Sequence, residues 1–284
     1  MEKPICFESD GLKLYGILGL PESGSAERGV ALIHGWSGCR IGPNRILVRA
    51  ARALNTAGFA TLRFDLRGRG DSEGETAAAD LDGMIADTLR AASVLKQQAR
   101  VTSVALLGIC SGANVAVGAA TLAPEIRDLA LWSIMTFQPQ KRRSDSVRRT
   151  GHFALGYAAK LFRAATWRKL FGGEVNFRMV WRVLFGRRSE GKEGANLKDS
   201  RRDIMAQFAN YRGRALFIHG SRDPEAHGAR EIFRQFCPAH SIPAEFVLIE
   251  GSNHNFHSLK WMDEVIGRSI GWLRATGAGK ERAS

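Results

Sequence analysis

Short, almost continuous apolar segments recur along the chain, and most are separated by segments with the hydrophobic spacing of amphipathic helices. Such apolar segments are typical of buried parallel strands, which we predict at residues 30–33, 60–64, 104–107, 129–132, 215–218 and 246–249. Weak alternation over residues 12–20 predicts an antiparallel edge strand that pairs with residues 5–8. Helices are predicted at residues 44–57, 81–98, 111–121, 229–236 and 259–275. Repeated β-α units of this kind predict an α/β fold, with a mostly parallel sheet covered by helices on both faces.

One long interval interrupts this alternation. Residues 136–203 contain no strand pattern, and apolar side chains there recur at helical spacing. Basic residues also concentrate there: residues 137–203 hold 17 lysines and arginines against 6 acidic residues, within a chain of net charge +13. We therefore predict a core formed by residues 1–135 and 204–284, interrupted by a basic helical cap at residues 136–203.

Composition narrows the class of protein. The 284-residue chain is 44% hydrophobic and 24% charged, which suits a globular protein and excludes a disordered or fibrous one. No apolar run approaches the roughly 18 residues of a membrane-spanning helix, and the N-terminal residues lack the apolar region of a secretory signal. The four cysteines are widely spaced and follow no metal-binding pattern. These features predict a cytoplasmic protein with free thiols.

The segment around Cys110 has the pattern of a reactive residue on a sharp strand-to-helix turn. It follows the predicted strand 104–107, precedes the predicted helix 111–121, and has Gly108 and Gly112 two positions to either side. Such a turn requires strained backbone, and glycine at both flanking positions lets the neighbouring chain pass close by. At the start of a helix, unpaired amides and the helix dipole favour a thiolate over a thiol. Cys110 is therefore a candidate nucleophile.

Three further segments follow predicted strands and carry groups that a nucleophile needs. Trp36 lies in a His-Gly-Trp-Ser-Gly loop after the strand at residues 30–33, where a loop amide can form half of an oxyanion hole. Asp223 follows the strand at residues 215–218, and His254 follows the last strand. Because the carboxyl ends of parallel strands meet at one edge of the sheet, we expect these groups to lie together.

The chain order of nucleophile, acid and histidine resembles that of the α/β-hydrolase superfamily, and the resemblance covers nearly the whole chain. The Asp-Leu-Arg-Gly-Arg-Gly-Asp-Ser segment at residues 65–72 is similar to one that many members carry after this strand. Cys110 stands where most relatives have serine. A Gly-x-Cys-x-Gly motif occurs in dienelactone hydrolases, polyhydroxyalkanoate synthases and the hydrolases associated with the exosortase A system. The last group looks closest, since it has a similar length and a basic cap that resembles residues 167–177.

The resemblance implies chemistry at an acyl carbonyl. Cys110 would attack the carbonyl, and His254 would take the proton of the Cys110 thiol or pair with its thiolate. Asp223 would orient the histidine ring. The amides of Trp36 and Ser111 would stabilise the oxyanion. Esters, lactones and thioesters are the expected substrates, because a thiolate leaves a tetrahedral intermediate more readily than an unprotonated amine does. The acyl-enzyme would be a thioester, which amines and thiols also attack, so acyl transfer is a second hypothesis beside hydrolysis.

Each of these assignments has a structural alternative. Cys110 could be a small buried apolar residue, and Ser111 could be the nucleophile, although that register loses one flanking glycine. Asp223 precedes a proline and could cap the following helix. Two other histidines lie near these segments: His34 is expected to be a hydrogen-bonded structural residue, and His257 to be exposed or capping.

The basic cap suggests contacts beyond the acyl group. Its cationic face could attract a negative group on a small-molecule or acyl-carrier-linked substrate, or lie against an anionic membrane from the cytoplasmic side. A third hypothesis is accordingly a non-catalytic module that docks through the cap. No nucleic-acid-binding module is recognisable, so no nucleic acid is expected. No dinucleotide-binding, P-loop or zinc-protease motif occurs, so no cofactor or metal is expected.

Overall fold

The sheet begins with an antiparallel hairpin and continues as a parallel array. The computed structural model describes residues 1–137, 200–224 and 226–275. Within these ranges the strands are β1 (Glu2–Ser9), β2 (Leu12–Gly19), β3 (Arg28–Ile33), β4 (Ala60–Phe64), β5 (Ser103–Ile109), β6 (Asp128–Trp132), β7 (Arg214–Gly220) and β8 (Ala244–Ile249). Their order across the sheet is β1-β2-β4-β3-β5-β6-β7-β8. The pairs β1–β2 and β2–β4 are antiparallel, and all the other neighbours are parallel.

Helices cover both faces of this sheet. The described helices are α1 (Ile46–Thr56), α2 (Leu81–Ala99), α3 (Ser111–Ala120), α4 (Ile204–Phe208), α5 (Ala226–Ala239) and α6 (Leu259–Arg274). Successive strand residues point to opposite faces, so Leu106 packs with Ala116 of α3, and Leu107 packs in the other cluster with Leu54 and Val265. Within the described part of the chain, no helix combines the length and apolarity needed to cross a membrane.

The observed elements confirm the predicted fold class. All six predicted parallel strands and the edge hairpin occur where the apolar pattern predicts them, with bounds that differ by a few residues. The strand β8 is only partly buried, contrary to the prediction, because it lies at the edge of the sheet. Both layers of helices are also present. The α/β architecture can therefore be recognised from hydrophobic spacing, because the central strands β3 to β7 are buried on both sides and helices such as α1 and α6 on one.

Two helical segments differ from the prediction. The helix expected from residue 44 begins instead at Ile46, after a 3₁₀ turn over Pro43–Arg45 in which Asn44 and Arg45 have positive φ angles of 51° and 63°. Left-handed residues cannot continue an α-helix, so the regular hydrogen bonding starts after them. The five-residue helix α4 was not predicted, because it is too short to display a helical period.

Most of the predicted cap lies outside the described residues. The prediction covers residues 136–203, of which the structure describes only 136, 137 and 200–203. The cap and its boundaries therefore stay predictions.

Candidate active site

Cys110 lies on a strained turn between β5 and α3. Its backbone has φ 58° and ψ −130°, a left-handed conformation that non-glycine residues rarely adopt. The flanking glycines make the turn possible. A Cβ atom on Gly108 would lie 2.4 Å from the Gly112 carbonyl oxygen, and one on Gly112 would lie 2.4 Å from the His34 carbonyl oxygen. The two glycines therefore let β5, α3 and the loop after β3 approach within backbone contact.

We expect Gly112→Ala to lower the free energy of unfolding by about 3 kcal/mol, because the new methyl group overlaps the carbonyl oxygens of Ile33 and His34. Urea denaturation of the purified variant measures this change. Gly267→Ala is the matched control, since a Cβ there meets nothing within 4 Å. Alanine in place of glycine inside helix α6 should raise the free energy of unfolding by about 1 kcal/mol. Equal stability of the two variants would contradict the close packing at the turn.

His254 and Asp223 face each other beside this turn. Nδ1 of His254 lies 2.8 Å from Oδ2 of Asp223, whose side chain is almost completely buried. Two contacts hold the loops that carry them: Ser133 Oγ donates to the His254 carbonyl oxygen at 2.8 Å, and the Arg222 amide donates to the Ser252 carbonyl oxygen at 2.8 Å. The structure thus brings together the acid and the histidine, which are 31 residues apart in sequence.

The thiol of Cys110 lies next to the same histidine, and each group shifts the pKa of the other. Burial raises the pKa of Cys110, but His254 and the Ser111 amide lower it by more than burial raises it. The pKa of this thiol therefore lies below its ordinary value of 9.0. Burial lowers the pKa of His254, but the contacts with Asp223 and Cys110 raise it to about 10. Opposite shifts of this kind favour a thiolate next to an imidazolium, which is the reactive form of a cysteine nucleophile.

The loop after β3 lies against Cys110. A Cβ on Gly35 would lie 3.3 Å from Cβ of Cys110, which is a tight contact, so the loop passes close to Cys110. The amide of Trp36, one of the two predicted oxyanion donors, donates a hydrogen bond of 2.5 Å to Ser111 Oγ. The second predicted donor, the amide of Ser111, contacts the Cys110 thiol. The Ser111 amide therefore faces the Cys110 sulfur, and the Trp36 amide is paired with the Ser111 hydroxyl.

Buried polar contacts fix the shape of this loop. His34 is fully buried; its Nδ1 lies 2.7 Å from the Gly35 carbonyl oxygen, and its Nε2 accepts from the Leu66 amide at 3.1 Å. Burial lowers the pKa of His34, so the ring is neutral and structural, as the sequence predicts. Arg69 Nε donates to the Trp36 carbonyl oxygen at 2.5 Å, and its guanidinium lies 5.1 Å from the centre of the Trp36 ring.

The structure also identifies neighbours of Cys110 that the sequence pattern does not predict. Sδ of Met135 lies 4.0 Å from Sγ of Cys110. Asn114 holds Met135 in place, because its amide group donates to the Met135 carbonyl oxygen at 2.8 Å and accepts from the Met135 amide at 3.3 Å. Asn114 is a buried polar residue in an otherwise small and apolar helix, which is the one sequence signal that could have marked it.

Two further histidines and the four cysteines have clear positions. His257 is exposed, as predicted, and packs edge-on against Trp261. His219 is buried at the end of β7, where burial lowers its pKa to about 4 and keeps it neutral. All four cysteines are free thiols. No group of three or more histidine, cysteine or acidic side chains is arranged for metal binding in the part of the chain that the structure describes.

A strained strand-to-helix turn that displays a thiol, with a histidine and a buried acid beside it, is typical of the nucleophile turn of α/β-hydrolases. Comparison with protein families agrees. The sequence matches the alpha/beta hydrolase family over residues 30–268, and the chain belongs to that family. A comparison with curated protein sequences gave no significant match.

Several solved structures share the fold over most of both chains. Est1E from Butyrivibrio proteoclasticus, solved with ferulic acid bound, is 18% identical with a TM-score of 0.67, and the match covers 96% of this chain and 99% of Est1E. An esterase from Pyrococcus furiosus is 18% identical with a TM-score of 0.66, covering 97% of this chain and 91% of the esterase. A dienelactone hydrolase from Anabaena variabilis is 15% identical with a TM-score of 0.63, covering 97% of each chain. At these identities the likeness establishes the fold.

Proposed function

We propose that this α/β-hydrolase cleaves carboxylic esters or thioesters through a covalent acyl-enzyme on Cys110. The observation that carries the proposal is the position of His254, which contacts the buried carboxylate of Asp223 on one side and the Cys110 thiol on the other. The strained backbone of Cys110 supports the same role, since it displays the thiol at the carboxyl end of the sheet.

The first half-reaction transfers the acyl group to sulfur. The Cys110 thiolate attacks the carbonyl carbon, a C–S bond forms, and the π electron pair moves to the carbonyl oxygen. The amides of Trp36 and Ser111 then donate hydrogen bonds to this oxyanion. When the intermediate collapses, the bond to the alcohol or thiol breaks, and His254 gives the leaving group its proton. Asp223 holds the ring with its other nitrogen towards the sulfur.

The second half-reaction restores the thiol. Neutral His254 takes a proton from water, the resulting hydroxide attacks the thioester carbonyl, and the Cys110 thiolate leaves. Met135, 4.0 Å from the sulfur, offers an apolar contact beside the acyl carbon. Because an acyl thioester also reacts with amines and thiols, transfer to a non-water acceptor is the alternative outcome of the same intermediate.

Acylation by p-nitrophenyl acetate and by acetyl-coenzyme A tests the proposal. We expect a burst of one equivalent of leaving group, together with an acetyl group on the peptide that contains Cys110. Repeating the steady-state assay with added amine, thiol or alcohol separates hydrolysis from acyl transfer, since a transferase yields the acylated acceptor instead of acetate. Neither burst nor labelled peptide, with either donor, would contradict the proposal.

The pH profile of kcat/KM for an alkyl ester such as ethyl butyrate is expected to be bell-shaped. The rate rises below pH 9.0 as the Cys110 thiol loses its proton, and it falls as pH approaches 10, where His254 loses the proton that the leaving alkoxide needs. Because Cys110 and His254 interact, the apparent pKa of each limb belongs to the pair and not to either residue alone. p-Nitrophenyl acetate is the control, because its phenolate leaves without a proton and the alkaline limb should weaken. An alkyl-ester profile without an alkaline limb would contradict the role of His254.

We also propose a setting for this activity. The resemblance to the hydrolases associated with the exosortase A system implies work in surface polysaccharide or protein export, from the cytoplasmic side, and the basic segment at residues 136–203 would contact an acidic substrate or an anionic membrane. The four free thiols are consistent with a reducing compartment. Co-sedimentation with anionic vesicles tests the membrane contact. Binding by a protein whose Cys110 takes no acyl group would instead favour the non-catalytic docking hypothesis.

A further inference from the structure

The hydroxyl of Ser111 lies between the nucleophile and an oxyanion donor. Ser111 Oγ accepts the Trp36 amide hydrogen at 2.5 Å, and the same hydroxyl lies beside the Cys110 thiol, whose pKa it lowers. A hydroxyl has one hydrogen to donate and two lone pairs to accept with, so it can donate to the sulfur while it accepts from Trp36. Ser111 is 8% exposed, which leaves little water to compete for these contacts.

This position is the one that an acyl oxygen needs. During attack by Cys110, the carbonyl oxygen must approach the Trp36 amide while its carbon is within bonding reach of the sulfur. The Ser111 oxygen already has both neighbours. Since one amide hydrogen cannot make a full hydrogen bond to two oxygens, a bound acyl group and the Ser111 hydroxyl compete for the Trp36 amide.

We propose that the Ser111 hydroxyl is a positioning group that takes the place of the acyl oxygen in the resting enzyme. It satisfies the Trp36 amide and stabilises the Cys110 thiolate, and it rotates away about its χ1 bond when the substrate carbonyl enters. The proposal rests on the acyl-enzyme chemistry proposed above. It assigns the side chain of Ser111 a role distinct from that of its amide, which stays in the oxyanion hole.

Two rates separate this role from that of an ordinary oxyanion donor. Iodoacetamide alkylation reports the thiolate and needs no oxyanion hole, whereas acylation by p-nitrophenyl acetate needs both. In Ser111→Ala at a pH where Cys110 is mostly protonated, alkylation is expected to slow several-fold, because the thiolate loses a hydrogen bond. At a pH where the thiolate is fully formed, the acylation burst is expected to become several-fold faster, because no tethered oxygen has to leave the Trp36 amide.

Two further variants complete the experiment. Ser111→Thr keeps the hydroxyl and is expected to return both rates towards those of the wild type. Ser23→Ala makes the same chemical change at an exposed residue whose hydroxyl donates to the Ser25 carbonyl oxygen, and it should change neither rate.

The outcomes distinguish the inference from the proposed function. A burst at full thiolate that slows about 10-fold in Ser111→Ala would overturn the inference, because the hydroxyl would then be a donor to the transition state. Unchanged rates would also overturn it, since the two contacts would have no consequence. Both results require wild-type protein that acylates; if the wild type shows no Cys110 acylation at all, the proposed function fails and the inference fails with it.

Discussion

Cys110→Ala is expected to reduce kcat/KM for p-nitrophenyl acetate by about 10³-fold or more. Without the sulfur no acyl-enzyme forms, and the remaining oxyanion donors can only assist direct attack by water. The loss should come with little change in stability, because the replaced atom is one sulfur at the edge of a core cluster that is otherwise intact. Steady-state hydrolysis and urea denaturation of the same preparation measure both quantities.

The chain offers a matched control for this variant. Cys6→Ala removes a thiol of the same kind from an exposed position on β1, and its activity should equal that of the wild type. If Cys110→Ala kept its activity within about 10-fold, the nucleophile would have to be another residue, and Ser111 would be the next to test.

Asp223→Asn is expected to lower kcat/KM by roughly 10³-fold, since an amide can hydrogen-bond the histidine ring but cannot stabilise its charge or fix its tautomer. The buried carboxylate helps to raise the pKa of His254 to about 10. Without that charge the pKa falls, so the alkaline limb of the ethyl butyrate profile should move to lower pH. The pH dependence of the variant measures this shift directly.

Asp263→Asn serves as the control for the acid. Asp263 is an exposed carboxylate on α6 that pairs with Arg49, so the same isosteric change there should leave both rate and pH profile unaltered. An Asp223→Asn profile with an unmoved alkaline limb would contradict the contact between Asp223 and His254 as a determinant of the mechanism.

The fold follows from local patterns along the chain to a large extent. Strands such as β5 and β7 are buried on both sides, so their apolar runs are visible without knowledge of their neighbours. The start of α1 could not be predicted in this way. It depends on the left-handed residues Asn44 and Arg45, and arginine is a good helix former whose left-handed conformation leaves no sign in the sequence.

The candidate site, like the fold, could be predicted from the sequence only in part. The approach of Cys110, Asp223 and His254 could be expected, because each follows a strand and parallel strands end at one edge. The hydrogen bond between Trp36 and Ser111 could not, because it joins side chain to backbone across 75 residues and depends on the rotamer of Ser111. The fixing of Met135 by Asn114 is likewise a contact between separate elements, with no trace in the local pattern.

The pH dependence of iodoacetamide alkylation, followed peptide by peptide, tests the thiolate–imidazolium pair most directly. We expect Cys110 to react selectively with an apparent pKa below 9.0, and His254→Ala to abolish that selectivity. Cys237 provides an internal reference, since burial raises its pKa to about 12 and should keep it unreactive. If Cys110 in the folded protein reacts no faster than Cys6 or Cys39, or if His254→Ala leaves its rate unchanged, Cys110 is not the activated nucleophile.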